Sequence, residues 1–205
     1  MGKITRTFLK QNNVCTMGYK FWIIKCEGLE DELQLRILAA EKMSWFNWLL
    51  IKLMKYKQYV AYAVFAAEQI IEFNDNKINR ETLAAAKKCI KASTIKNRQK
   101  AEYASSIAFE IFLESRDEYI PTLVSCAIAN TAAAANLEVN SAAVAATQAS
   151  IVSSQIKNRI VNYGLELIGE NKLCHMQQQK NNGKQLISMN DIVSQVTGKS
   201  TRLFQ

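Results

Sequence analysis

Residues 127–150 read AIANTAAAANLEVNSAAVAATQAS, two alanine runs separated by a short polar link. Alanine is the least costly residue to place in a helix, and its methyl group lets two helix axes approach closely. Asn136 stands where the first run stops, and Asn140 or Ser141 where the second begins; these residue types favour turns and N-caps. The expectation is a tightly packed antiparallel helix hairpin. A self-associating coiled coil is the competing reading, but no heptad of large apolar residues is sustained across the stretch.

Working outward, the 205 residues contain one proline and seven glycines. These are the residues that stop helices and shape hairpin turns, so their scarcity favours long helices joined by short polar links. With 49% hydrophobic and 21% charged residues the chain can bury a core. The fold expected is an all-α, single-domain multi-helix bundle. Apolar periodicity and polar breaks place helices at about 4–9, 19–26, 29–40, 44–54, 57–73, 80–91, 95–113, 121–136 and 140–173. Pro121 suits the first turn of its helix, and NDNKIN before Arg80 has the composition of a turn. The helical domain is expected to span 1–175. Residues 176–205 turn polar with scattered apolar positions, the pattern of a flexible tail or docking arm.

The segment MSWFNWLLIKLMKY, residues 43–56, holds two of the three tryptophans. Trp45, Trp48, Leu49 and Ile51 recur at helical spacing, while Phe46, Asn47 and Leu50 widen the apolar face. Such a helix must be covered by neighbours. Trp45 and Trp48 are therefore expected as core anchors on Val64, Phe65 and the alanine-rich hairpin.

Several of these stretches together carry a family likeness. SWFNWLL, then YAVFAAEQIIEF, a polar turn and RETLAAAKKCI, with FLKQNNVC and its Cys15 near the start, resemble the immunity proteins of bacterial polymorphic-toxin systems, which also occur in phage genomes. The likeness covers most of residues 4–160. Where that family usually opens a helix with proline this chain has Asn79, and where it has a glutamate within an AIEAA-like run this chain has Ala84. The resemblance implies a non-enzymatic factor that neutralises or assembles with a partner protein, such as a toxin, a defence factor or an assembly component.

The residues offer little for catalysis. His175 is the single histidine, beside a glutamine tract, so a histidine-based triad or metal centre has no other imidazole to use. Asp31, Asp75, Asp117 and Asp191 form no DxD pair, and no glycine-rich phosphate loop is present. The acidic clusters Glu27, Glu30, Asp31, Glu32 and Glu114, Asp117, Glu118 read as solvated faces. Five cysteines without a CxxC pair suit buried free thiols in a reducing compartment rather than a disulfide framework or zinc site. Residues 119–137 carry no charge, yet their alanine, threonine, serine and asparagine insert weakly into a bilayer. The start of the chain lacks a secretory apolar core. The chain is expected to be cytoplasmic, in a bacterium or a phage-infected cell, without catalytic residues, cofactor, metal or membrane.

Charge is the feature that points outward. The net charge is +8, and Lys77, Arg80, Lys87, Lys88, Lys91, Lys96, Arg98 and Lys100 share their interval with Glu81 alone. Lys87, Lys88 and Lys91 suit the end of a helix, where the dipole welcomes cations; Lys96, Arg98 and Lys100 open the next one, where it opposes them. Lys88, Lys91, Lys96, Arg98 and Lys100 are thus the candidate partner-binding residues. A protein partner with an acidic face is the first reading and a nucleic-acid backbone the second, with self-association as a further mode and a merely solvated surface as the plain alternative.

Overall fold

The computed structural model describes residues 4–114 and 118–169. The chain divides into units 1–169 and 170–205, and every described residue belongs to the first. The division falls ahead of the expected 175/176 boundary, and the expected tail and His175 lie outside the described residues.

Among the described residues the chain is all helical, with no strand. Its elements are α1 Arg6–Gln11, α2 Thr16–Lys25, α3 Asp31–Glu41, α4 Met43–Lys52, α5 Tyr56–Glu68, a 3-10 turn Ile71–Asn74, α6 Lys77–Lys91, α7 Ile95–Glu114, α8 Tyr119–Ala135, α9 Val139–Val152 and α10 Ser154–Gly169. Short polar side chains start several of them by accepting otherwise unpaired amides: Thr5 from Phe8, Asn76 from Asn79, Thr94 from Asn97 and Ser153 from Ile156. Gly28, at φ 81, makes the left-handed turn between α2 and α3.

The alanine-rich hairpin is the centre of the bundle. Helices α8 and α9 pack on each other, α5 and α4 lie against α9, and α6 and α7 lie against α8. Ala132, Ala134, Ala135, Ala142, Ala145, Ala146 and Ala149 are all essentially fully buried. Hydroxyl groups cross these close contacts. The Thr131 Oγ1 lies 3.2 Å from the Ala63 carbonyl, and Ser105 Oγ donates to the Ala129 carbonyl at 2.9 Å. A buried polar chain joins three helices: Tyr62 donates to Asn47 Oδ1 at 2.6 Å, and Asn47 Nδ2 donates to Thr147 Oγ1 at 2.8 Å.

Two expectations are corrected. The single helix expected over 140–173 is two helices, because Ser153 adopts an extended conformation (φ −158, ψ 157) and caps α10 with its own hydroxyl. The restart lets α10 turn onto α4 and α5. There Gly164 sits so close that an added Cβ would fall 2.5 Å from Leu50 Cδ2 and 2.7 Å from Tyr62 Cε2.

The tryptophans of α4 are the second correction. The fully buried side of α4 is Phe46, Asn47, Leu49, Leu50 and Ile51, and its Asn47 hydrogen-bonds the hairpin. Trp45 and Trp48 are half-buried on the side toward α1 and α2, where Trp45 meets the Phe21 ring edge-on at 5.4 Å. Phe65 stacks at 4.0 Å on Tyr163 of α10. The helix is apolar nearly all round, so two faces of it are covered, the larger by the hairpin and α5, the smaller by the N-terminal helices.

Candidate binding surface

The α6–α7 corner carries the cations singled out above. The two helices join through Ala92, Ser93 and Thr94 and bury Leu83, Ala86, Cys89, Ala101 and Ala108, which leaves their charged positions outward. Thr82 Oγ1 donates to the Ala104 carbonyl at 3.3 Å across the pair.

The eight cations separate into two groups. Lys87 pairs with Glu68 at 2.6 Å, Arg80 with Asp75 at 3.0 Å and Lys77 with Glu81 at 3.9 Å. Asp75 lies just before the interval 77–100, and Glu68 comes from α5, so the fold adds a carboxylate there that the interval itself does not show. Lys88, Lys91, Lys96 and Lys100 are exposed and form no ion pair among the described residues. Arg98 differs from them: it is half-buried and faces inward near Tyr56, Tyr59 and Cys89. Burial raises the pKa of these three groups, and the Arg98 guanidinium partly offsets that rise. Lys88 and Lys91 thus end α6 and Lys96 and Lys100 open α7, all four exposed, while Arg98 is half-buried.

Sequence reasoning missed Tyr103. It is 71% exposed and follows Lys96 and Lys100 at i+7 and i+3, so the three share one face of α7. The signal was present in the helical spacing, once the start of α7 is known.

Three carboxylates of the first acidic cluster are used within the fold, while Asp117 of the second lies outside the described residues. Arg6 and Glu27 form a paired salt bridge, which lowers the Glu27 pKa chiefly through the hydrogen bond. Asp31 Oδ1 accepts from the Ile4 amide at 3.0 Å, and Glu32 pairs with Arg36 at 2.8 Å. Among the described residues no group of three His, Cys, Asp or Glu side chains could hold a metal ion, and no helix is long and apolar enough to cross a membrane. Cys26, Cys89 and Cys126 are buried free thiols and Cys15 is an exposed one. No protein-family model, curated protein or solved structure matches the chain.

Proposed function

We propose that this chain is a non-enzymatic binding protein whose α6–α7 corner captures an acidic face of a partner protein, in the cytoplasm of a bacterium or phage-infected cell. The observation that carries the reading is the division of the cations. Lys77, Arg80 and Lys87 have carboxylate partners inside the fold, while Lys88, Lys91, Lys96 and Lys100 present unneutralised charge at one corner. Like charges gathered without internal partners repel one another, and an acidic surface relieves that repulsion while steering the encounter. The likeness to immunity proteins supplies the role: neutralising a toxin or defence factor, or assembling with one.

A nucleic-acid-binding accessory is the second reading. The row Lys96, Lys100 and Tyr103 favours it, since cations beside an exposed aromatic ring also suit a phosphate backbone with stacking bases.

The test compares the native chain with the Lys96→Glu/Lys100→Glu variant and with Lys20→Glu, a reversal at an exposed lysine of α2. Each is used for affinity capture from the native host with mass spectrometry, and for binding to generic DNA and RNA across a salt series. The protein reading expects one captured acidic protein, lost only with the corner variant. The nucleic-acid reading expects binding whose salt slope falls by about one per lost phosphate contact. If the corner variant behaves as the native chain in both assays, the corner is solvated surface and both readings fail.

A further inference from the structure

All three tryptophans of the chain line one cavity. Trp22 of α2 and Trp45 and Trp48 of α4 enclose, with neighbouring residues, a space of about 250 Å³ far from the lysine corner in sequence. Protein interiors are close-packed, and an unfilled apolar space of this size forfeits contacts that larger side chains would supply.

The construction is graded from floor to rim. The floor is buried and apolar, formed by Leu9, Trp22, Leu38 and Leu49 together with Gly18. The rim is open to solvent, with Asn13 and Cys15 exposed and the two α4 indoles half-exposed. No charged side chain lines the space. Its walls are also held in place from behind. The Trp22 N–H donates to Gln34 Oε1 at 2.7 Å, and Gln34 in turn donates to the Leu29 carbonyl at 2.7 Å. Lys42 and Lys52 lie 5.8 Å and 5.9 Å from the Trp45 and Trp48 ring centroids, a cation–π distance. Phe21 supports Trp45 edge-on. Walls fixed before a ligand arrives lower the ordering cost of binding it.

We propose that this cavity is a binding site for a small, uncharged aromatic molecule of one or two rings. The volume suits that size, since cavities somewhat smaller than this accept benzene. Three indoles offer flat faces and edges to an aromatic ring, which prefers offset and edge-to-face partners. A charged ligand would enter an apolar floor with nothing to balance its charge. The exposed rim residue Asn13 supplies a polar group for one hydroxyl or carbonyl, its side-chain amide bonding no protein group among the described residues. The site is independent of the lysine corner, and either reading can fail without the other.

The experiment follows the tryptophan side-chain N–H resonances of the full chain, labelled with ¹⁵N-tryptophan in a Cys174→Ser background, during titration with p-cresol. The expected result is saturable movement of all three resonances, with p-toluate and hexan-1-ol binding at least about tenfold more weakly, which corresponds to about 1.4 kcal/mol. Two ways of filling the space should each reduce p-cresol affinity at least about tenfold: the Gly18→Leu substitution, and S-benzylation of Cys15 in the folded protein. S-methylation of Cys15 should change it little. Benzylation decides the matter if Gly18→Leu does not fold, because it is applied after folding. The Lys96→Glu/Lys100→Glu variant should bind p-cresol as the native chain does. Movement that never saturates, an equal response to p-toluate or hexan-1-ol, or affinity unchanged after benzylation overturns the proposal. So does a response to an aromatic-containing peptide with none to p-cresol, which would make a protein side chain the occupant.

Discussion

Helices α8 and α9 meet through alanines, whereas α2 and α4 meet through tryptophans, and the two contacts have opposite geometry. Methyl groups let the hairpin and its neighbours close until side-chain hydroxyls reach backbone carbonyls of the next helix, as Thr131 of α8 does at Ala63 of α5 and Ser105 of α7 at Ala129 of α8. Little space is left, and every alanine on the inner face is buried. On the other side Trp22 of α2 and Trp45 and Trp48 of α4 line the 250 Å³ cavity, and Phe21 of α2 meets Trp45 edge-on. The lesson is that burial alone does not describe a helix contact. Side-chain size decides whether a contact becomes a seam or a chamber.

The comparison can be tested first within α4. Phe46 is fully buried on the seam side, and Trp48 is half-buried on the chamber side. Phe46→Ala should lower stability by about 3–5 kcal/mol, the usual cost of deleting a core aromatic ring. Trp48→Ala should cost roughly 1–2 kcal/mol, since a half-buried ring removes less apolar area from water. Urea unfolding with an unchanged m-value measures both. Equal losses would mean that the chamber side is core after all.

A smaller effect is expected from adding volume to the seam. Ala145→Leu forces four-carbon bulk between α9 and its neighbours and should cost about 1–3 kcal/mol. Val144→Leu, one residue away but 42% exposed, should stay within about 0.5 kcal/mol of the native chain. A tolerated leucine at 145 would show that the seam is looser than its burial implies.

The smallest effect concerns the thiols on either side of the comparison. Cys15 sits at the chamber rim and is exposed, while burial pushes the Cys26 thiol from its ordinary 9.0 up to about 12. In a Cys174→Ser chain at pH 8, an aromatic disulfide reagent should therefore modify Cys15 alone until denaturant is added. The sign of the pH effect follows. The folded chain keeps the Cys26 proton that the unfolded chain releases above about pH 9, so the stability tied to this group is complete below pH 9 and declines as pH rises toward 12. Early loss of Cys26 protection would place it outside the core.

How much of this was legible in the sequence depended on what each residue had to reveal. The alanine hairpin was, because helix propensity and the terminating Asn136 are local properties, and its end falls at that residue. The break at Ser153 was written locally too, in a serine pair within a helical run, yet periodicity continued across it and masked the cap. The fate of Trp45 and Trp48 was not legible: when a helix is apolar nearly all round, its sequence states that it is covered and not by what. The corner lysines were visible in the sequence, and so was Asp75, five residues before Arg80, but the pairing of Lys87 was not, since Glu68 comes from a helix that only the fold brings near. Arg98 looked equivalent to its neighbours until its inward position beside Tyr56 separated it from them.

The polar chain Tyr62–Asn47–Thr147 has a meaning that stability alone does not give it. An alanine surface repeats itself at every turn, so α9 moved along its axis by one turn would again set methyl against methyl on α4 and α5, with nearly the same contacts. Such a surface holds little positional information. Asn47 changes that, because its amide finds the Thr147 hydroxyl at one alignment and loses it at every other, leaving buried polar atoms without partners. This buried side chain serves as an index mark on a nearly unmarked ruler, joined at the surface by Lys52 on Asn140, and the alanines can be numerous because a few polar contacts tell them where to stop.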